Sequence, residues 1–269
     1  MKTQLTIPLY PEKSGIKSPD GFIPFMTFYP LAVSKPAGCV LVCPGGGYAM
    51  RARHEADPIA KRFNALGFHA AVVEYRVAPA VYPAPQCDAI RAIKILRSLS
   101  TEYKISSDHI AILGFSAGGH LAASTGILHD TIPAMVNDDI DQFCGRPDAS
   151  ILCYPVISIE SEFGHVGSGD NLLGTTGDSA ARSELSLHKW VTPDTPPAFL
   201  WHTAEDAGVP CRNSIEYAKA LWANKVKASL HIFPQGGHGL GEALQTPCAG
   251  VWVDLAAGFL KESLGFPTE

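Results

Sequence analysis

Three residues with nucleophilic, acidic and basic side chains occur along the chain in the order serine, aspartate, histidine. Ser116 lies in the stretch GFSAGGHLA, Asp206 in HTAEDAGVP and His238 in FPQGGHGLG. A serine hydroxyl becomes a nucleophile when a histidine accepts its proton and a carboxylate orients that histidine. These residue types predict covalent catalysis of acyl transfer if the fold brings the three side chains together.

The surroundings of Ser116 favour a nucleophile over an incidental serine. The pattern GxSxG arises often by chance in a chain with 25 glycines, so the pattern alone is weak. In this chain the apolar run AILGF precedes the serine and small residues follow it, which predicts a strand, a sharp turn and a helix. The amino end of that helix, at about Ala117, would favour negative charge that develops at the serine.

The base and the acid are assigned from their places after predicted strands. Among the ten histidines, His238 follows the last strand in a glycine-rich loop, which makes it the candidate base. Both Glu205 and Asp206 follow the strand AFLWHT, and Asp206 is favoured because it opens the pattern DxxVP ahead of a helix. The alternative role for Asp206 is a helix cap. As the acid, it would hold His238 in the tautomer that accepts the serine proton.

A second glycine-rich segment, PGGGY at residues 44–48, follows the apolar run GCVLVC. Successive glycines let backbone N–H groups approach a substrate oxygen, and the favoured donors are the amides of Gly46, Gly47 and Ala117. One such donor typically stabilises a transition state by about 3–4 kcal/mol. A phosphate-binding turn is the weaker interpretation, because the chain has neither GxxxxGKS/T nor a helix-opening GxGxxG at this place.

The elements that must position these residues alternate between strand and helix. Strands are predicted for GCVLVC, HAAVVEY, AILGF, SILCY, AFLWHT and SLHIF, with helical patterns between them. This alternation predicts a mostly parallel sheet with helices on both faces. The first thirty residues contain two extended runs without a helix, which predicts an antiparallel edge. The last helix is predicted to start at Thr246, with Val251, Leu255 and Phe259 on one face.

The length of 269 residues suits one α/β domain that spans residues 1–269. Residues 155–197 break the alternation, and we expect them to form a small irregular cap, since ligands bind at the carboxyl ends of parallel strands. A surface loop is the alternative. Three residues are candidates for contacting the substrate: Tyr48 and Arg51 after the oxyanion glycines, and Trp190 in the expected cap, where it would stack on a sugar or aryl group.

Composition argues against several other classes of protein. The net charge of −5 and the lack of a Lys/Arg cluster argue against nucleic acid and membrane surfaces as partners. The seven cysteines form no CxxC pair, so no metal, disulfide framework or cofactor is expected. The first ten residues do not resemble a secretory signal and no apolar run could span a bilayer, so a cytoplasmic location is expected. Whether a homo-oligomer forms stays open.

The motifs as a set resemble the α/β-hydrolase superfamily, and within it the acetyl-xylan-esterase-like and bacterial feruloyl/acetyl esterase branch. They are PGGGY, YRVAP, GFSAGGHLA, YPVIS, NLLG, TPDTPPAFLWHTAEDAGVP and FPQGGHGLG, and they run from about Cys39 to Leu240. The resemblance implies an eight-stranded sheet, a nucleophile at Ser116, an acid at Asp206 and a base at His238. It also implies an oxyanion role for the PGGGY glycines and Ala117. Where relatives usually have HTADD, this chain has HTAED, so one carboxylate is replaced by a longer one.

Three functions are compatible with these residues. The first is a serine carboxylesterase that removes short acyl groups, with acetyl esters of a carbohydrate or another small molecule as the expected substrate. The second is an amidase, formamidase or small peptidase, because esters and amides both pass through an oxyanion. The third is a non-catalytic binding protein on a hydrolase scaffold. The presence of all three residues, Ser116, Asp206 and His238, argues against this third function. A lipase is a weaker hypothesis, because no long amphipathic lid is evident.

Overall fold

The computed structural model describes residues 3–160, 162–174 and 179–269. Eight strands in these ranges form one sheet in the order β1-β2-β4-β3-β5-β6-β7-β8. The strands are β1 Leu5–Pro8, β2 Phe25–Tyr29, β3 Ala37–Cys43, β4 His69–Glu74, β5 Ile105–Phe115, β6 Ala149–Cys153, β7 Ala198–Thr203 and β8 Ala228–Phe233. The expected eight-stranded sheet is confirmed.

Six strands, β3 to β8, run parallel, and the first two strands form the expected antiparallel edge. β1 pairs antiparallel with β2, and β2 pairs antiparallel with β4. The pairs from β4 through β3, β5, β6 and β7 to β8 are all parallel. Because these strands run parallel, their carboxyl ends meet at one edge of the sheet, and the loops that follow them can share one site.

Helices cover both faces of the sheet, as the near-continuous apolar strands require. The helices are α1 Asp57–Ala65, α2 Ala84–Ser98, α3 Ser100–Tyr103, α4 Ala117–Leu128, α5 Val166–Leu173, α6 Ser179–Glu184, α7 Arg212–Ala223 and α8 Trp252–Gly258. Residues of α2, α4 and α7 pack into one apolar core, and residues of α1 and α8 pack into the other. The prediction of a doubly covered parallel sheet is therefore confirmed.

The last helix differs from the prediction in both its start and its buried face. α8 begins at Trp252, whereas Thr246 lies in a turn whose carbonyl accepts two backbone N–H groups. Val251 and Leu255 are 48% and 38% exposed whereas Phe259 is buried, so the predicted apolar face was wrong at two of its three residues. Trp252 decides the orientation, because its ring stacks on Trp201 with 5.3 Å between ring centroids and buries more apolar area than a valine.

The connection between β6 and β7, residues 155–197, is called the β6–β7 segment below. Its described part contains α5, α6 and a short 3-10 turn at Leu187–Lys189. The side chains of Leu172, Leu185 and Leu187 are buried in the core that also contains residues of α4. Apolar packing therefore attaches this segment to the sheet beside the turn that carries Ser116.

Candidate active site

Ser116 occupies the turn between β5 and α4, at the carboxyl end of a central strand. Its backbone has a φ of 51° and a ψ of −118°, a conformation that residues other than glycine rarely adopt. Its N–H donates to the Cys153 carbonyl at 3.0 Å, and its own carbonyl accepts the N–H groups of Gly119 and Val156 at 2.9 Å. These bonds hold the turn, so the serine hydroxyl is presented at the edge of the sheet.

Gly114 and Gly118 are needed because the backbone passes too closely for any side chain. A Cβ on Gly114 would lie 2.0 Å from the Gly118 carbonyl oxygen, and a Cβ on Gly118 would lie 2.2 Å from the Cys43 carbonyl oxygen. Both distances are far inside van der Waals contact. The small residues around the serine therefore let β3, β5 and α4 meet at this turn.

The structure brings Ser116, Asp206 and His238 together. His238 Nδ1 lies 2.7 Å from Asp206 Oδ2, and His238 Nε2 lies 2.7 Å from Ser116 Oγ. When Nδ1–H donates to the carboxylate, Nε2 is left as an acceptor for the serine hydroxyl. Asp206 follows β7 and His238 follows β8, so all three side chains come from the carboxyl ends of parallel strands.

Asp206 is buried and held by several donors. Its Oδ1 accepts the N–H groups of Gly208 and Val209 at 2.9 Å, and His202 Nε2 lies 3.3 Å from its Oδ2. Burial by itself would raise the pKa of Asp206. The hydrogen bonds from His202, His238 and the Val209 N–H outweigh burial and hold the pKa of this carboxyl well below its ordinary value. Asp206 is therefore ionised at neutral pH.

Glu205, the neighbouring carboxylate, has a different place. Its side chain is exposed, and Oε2 accepts the N–H of Gly236 at 3.1 Å. It thus tethers the loop that carries His238 but does not contact the imidazole through a described hydrogen bond. The geometry agrees with the choice of Asp206 over Glu205.

Some backbone polar groups of the PGGGY segment are bonded within the protein and others are not. Three of them bond to neighbouring side chains: the Pro44 carbonyl to Tyr75 Oη at 2.6 Å, the Gly45 N–H to Glu55 Oε2 at 2.8 Å and the Gly47 carbonyl to Asn171 Nδ2 at 2.8 Å. Among the residues that the structure describes, the N–H groups of Gly46 and Gly47 have no acceptor. The N–H of Ala117 opens α4, where helical bonding leaves it without an acceptor. The three predicted donors thus lack a described acceptor within the protein, and their oxyanion role stays a prediction.

Glu55 and Tyr154 connect residues 44–48, called the oxyanion segment below for its predicted role, with the loop that carries His238, called the histidine loop. The sequence interpretation missed both residues. Glu55 is 2% exposed, and its Oε1 accepts the Tyr154 hydroxyl at 2.7 Å while Oε2 accepts the Gly45 N–H. Tyr154 Oη also accepts the Gly241 N–H at 2.8 Å, and its ring lies edge-on to His238. Burial and the nearby Glu55 raise the pKa of Tyr154 well above its ordinary value, so the phenol stays protonated.

Tyr48 and Arg51 lie within the protein, so their contacts do not support the expected contact with substrate. Tyr48 is fully buried, and its hydroxyl lies 2.9 Å from His120 Nδ1. Arg51 donates to Glu74 at 2.8 Å. The tyrosine ring is buried because the core offers it more apolar contact than a cleft would, and Arg51 also donates to the Tyr75 carbonyl at 2.8 Å. Trp190 is 48% exposed in the β6–β7 segment, and stacking on a substrate stays a prediction for it.

A cavity of about 870 Å³ lies apart from these groups, between the N-terminal residues and α2. Its lining is mostly apolar, with the ion pair of Arg91 and Asp138 at its side. Neither Ser116 nor His238 lines it, so the candidate reaction is not placed there. In the described ranges, no cluster of three or more His, Cys, Asp or Glu could hold a metal ion, and no helix is long and apolar enough to cross a bilayer.

The parallel sheet, its covering helices and the cluster at the ends of β5, β7 and β8 together define an α/β-hydrolase. Residues 27–221 match the family described as BD-FAE. Since this match covers more than half of the chain, the protein belongs to the BD-FAE family.

Known relatives agree with this assignment. The chain is 36% identical to endo-1,4-β-xylanase B of Butyrivibrio fibrisolvens over 82% of its residues, and 33% identical to an acetylxylan esterase of Xylanibacter ruminicola over 83%. It spans 35% and 45% of the lengths of these two relatives.

A solved structure is also similar over nearly the whole chain. The acetyl ester-xyloside bifunctional hydrolase from Caldicellulosiruptor lactoaceticus is 41% identical, with a TM-score of 0.91 over 98% of this chain and 97% of that one. The resemblance to acetyl-esterase-type α/β-hydrolases is therefore confirmed. The chain has the α/β-hydrolase fold and is a carboxylic ester hydrolase by family.

Proposed function

We propose that the protein is a serine carboxylesterase that removes short acyl groups, acetyl first, from carbohydrates or other small alcohols. The observation that carries this proposal is the position of His238, 2.7 Å from both Ser116 Oγ and Asp206 Oδ2. The preference for acetyl esters of carbohydrates draws support from the names of the relatives, which include an acetylxylan esterase and an acetyl ester hydrolase.

In the acylation half of this reaction, His238 Nε2 takes the proton of Ser116 as Oγ bonds to the ester carbonyl carbon. The carbonyl electron pair moves to its oxygen, whose negative charge the N–H groups of Gly46, Gly47 and Ala117 stabilise. His238 then gives the proton to the alcohol oxygen as the carbon–oxygen bond breaks. Asp206 stabilises the imidazolium between these two steps.

In the deacylation half, water takes the place of the departed alcohol. His238 removes a proton from this water while its oxygen bonds to the acyl carbon, and the same N–H groups stabilise the oxyanion again. The bond to Ser116 Oγ then breaks, and His238 returns the proton to the serine. The products are a carboxylic acid and the free enzyme.

The same steps would cleave an amide, so amidase, formamidase or peptidase activity is the second candidate. Xyloside cleavage, which the name of the Caldicellulosiruptor lactoaceticus hydrolase also includes, is not part of the function proposed for this chain. Glycoside hydrolysis uses two carboxylates that flank the sugar bond. Asp206, which is part of this cluster, and Glu55, which is linked to it through Tyr154, are buried and bonded within the protein.

The test compares the native protein with Ser116→Ala on p-nitrophenyl esters of increasing acyl length. We expect activity on acetate to exceed activity on longer chains, and Ser116→Ala to lower kcat by about 10⁵-fold or more. A fluorophosphonate should label the native protein and not the variant. Ser107→Ala, at an exposed serine of β5, is the matched control and should keep both activity and labelling. An active Ser116→Ala protein would refute the proposal.

A second panel addresses the substrate. Acetylated xylo-oligosaccharides, aryl formamides and aminoacyl amides are offered at equal concentration. We expect deacetylation of the saccharides to have the highest kcat/KM. Faster cleavage of the amides or formamides would replace the esterase with the second candidate, and absence of both turnover and labelling would favour a binding protein.

A further inference from the structure

The helix α5 of the β6–β7 segment opens at His165, whose ring caps the helix. His165 Nδ1 accepts the backbone N–H of Ser168 at 3.1 Å and lies 2.8 Å from Ser168 Oγ. A ring nitrogen that accepts a backbone N–H carries no proton, so the proton of the neutral ring is on Nε2. His165 therefore presents an N–H donor on the ring edge that faces away from its own helix.

α5 rests directly on the oxyanion segment. Asn171 Nδ2 donates to the Gly47 carbonyl at 2.8 Å, and a Cβ on Gly47 would lie 3.9 Å from Ser168 Oγ. Ser168 therefore lies near Gly47 and is bonded to His165. His165 is thus linked through one residue to the neighbourhood of Gly47.

His165 also interacts electrostatically with His238 and Asp206. Burial, followed by the charge of His238, lowers the pKa of His165, so its ring is neutral at neutral pH. The ring therefore lies close enough to His238 and Asp206 for their charges to act on it. In an ester bound to Ser116, the carbonyl oxygen meets the glycines and the alcohol oxygen must reach His238 Nε2. The alcohol part of the ester extends outward from the alcohol oxygen, so a donor near His238 can contact it.

The backbone that leads to His165 is held firmly. Asn213 Oδ1 accepts the N–H groups of Ile157 and Ser158 at 2.9 and 3.0 Å, and its Nδ2 donates to the Phe163 carbonyl at 2.8 Å. The N–H of His165 donates to the Ser158 carbonyl at 3.0 Å. A donor fixed in this way makes a contact with little loss of conformational entropy, which favours selective binding.

We propose that His165 determines specificity for the alcohol part of the ester. Its Nε2–H would donate to a hydroxyl group on the carbon adjacent to the one that bears the ester oxygen. The inference rests on the proposed esterase function and narrows its substrate class. Esters of polyols, including sugars, carry such a hydroxyl, and esters of simple alcohols do not. The residue would thus select polyol esters over esters of similar size and shape.

The test uses two esters whose alcohol parts differ by one group. Hydroxyethyl acetate carries a hydroxyl where propyl acetate carries a methyl group, and each kcat/KM is divided by the rate of uncatalysed alkaline hydrolysis of that ester. In His165→Asn, the amide oxygen can still accept the Ser168 N–H and cap α5, but the Nε2–H is lost. We expect the native preference for hydroxyethyl acetate to fall roughly three- to tenfold, as for loss of one hydrogen bond. Ser168→Ala, which leaves the Nε2–H in place, should keep the preference.

The outcomes separate the two proposals. Equal losses on both esters in His165→Asn, an unchanged preference in that variant, or a native enzyme without preference would each overturn the role of His165 and leave the esterase intact. A Ser116→Ala variant that cleaves both esters as well as the native protein would overturn the proposed function itself. Thermal melting of His165→Asn close to that of the native protein shows that the cap on α5 is retained.

Discussion

The two sides of the candidate cleft are attached to the fold in different ways. On the sheet side, Ser116, Asp206 and His238 lie on loops that follow parallel strands, and backbone bonds tie the Ser116 turn to the end of β6 and the Asp206 loop to the end of β8. On the other side, α5 of the β6–β7 segment is joined to its neighbours by separate bonds outside the sheet, such as those from Asn171 Nδ2 to the Gly47 carbonyl and from the Tyr82 N–H to the Leu172 carbonyl. The residues that we propose as catalytic therefore lie on loops of the sheet, whereas the proposed substrate contact at His165 lies on a segment that can change without changing the sheet.

This difference predicts how variants behave. Changes on the sheet side should lower the turnover of every ester alike, because they act on steps that all esters share. Changes on the β6–β7 side should act through the position of one loop or through one substrate contact. The predictions below run from the largest expected effect to the smallest.

Asp206→Asn should lower kcat by about 10⁴-fold on p-nitrophenyl acetate and on acetylated sugars alike. An amide cannot stabilise the imidazolium, and it favours the tautomer of His238 that does not accept the serine proton. The matched control is Glu205→Gln, which changes the adjacent exposed carboxylate and should keep activity within about threefold. If the two variants lose activity equally, the acid has been assigned to the wrong residue.

His120 joins the two sides, and we expect it to make stability depend on pH. Its Nε2 donates to the Leu185 carbonyl at 2.8 Å and its Nδ1 accepts the Tyr48 hydroxyl, both of which require the neutral ring. Burial lowers the pKa of His120 to about 4, from an ordinary value of 6.5. As the pH falls, the unfolded chain binds this proton before the folded protein does. The stabilisation that the neutral ring gives the folded protein is therefore complete above pH 6.5 and is lost as the pH falls towards 4.

The difference between those two pKa values corresponds to about 3 kcal/mol of unfolding free energy. Urea unfolding of the native protein and of His120→Gln between pH 7.5 and 4.5 measures it. The variant should be less stable at pH 7.5 but should lose less stability on acidification. Parallel curves for the two proteins would show that the proton of His120 does not contribute.

Glu55→Gln should lower kcat by roughly 10- to 100-fold with little change in KM. The amide can still accept the Gly45 N–H, but it turns an N–H towards Tyr154 and leaves the phenol proton without an acceptor. The oxyanion segment and the histidine loop then lose their common support, which matters most in the transition state. Tyr154→Phe cuts the same link from the other end. The double variant should therefore be no worse than the more impaired single variant, and additive losses would contradict a shared role.

The fold could be predicted wherever a single stretch of sequence determines the local structure. Buried parallel strands are continuous apolar runs, and the turn at Ser116 needs small residues because the backbones of β3 and α4 pass so closely. The face of α8 could not be predicted in this way. It is decided by the stacking of Trp252 on Trp201, which are distant in the chain.

The site was predictable to a similar degree. The order of Ser116, Asp206 and His238 and their places after strands pointed to one cluster before any contact was known. Glu55 was missed, because a glutamate before a helix normally stays exposed, and its burial depends on Tyr154, which lies 99 positions further along the chain. No local pattern encodes such a contact.

Asn171→Ala should have the smallest effect, a fall in kcat of about three- to tenfold. The variant removes the bond to the Gly47 carbonyl and leaves the N–H donors of the segment present but less firmly placed. Since the Gly47 N–H is proposed to stabilise the carbonyl oxygen of every ester, the loss should be equal for p-nitrophenyl acetate and for acetylated sugars, with KM unchanged. Asn224→Ala, at the end of α7, is the control and should keep full activity. If Asn171→Ala instead impaired sugar esters alone, Asn171 would contact the substrate. The substrate-binding side of the cleft would then begin directly beside the oxyanion segment.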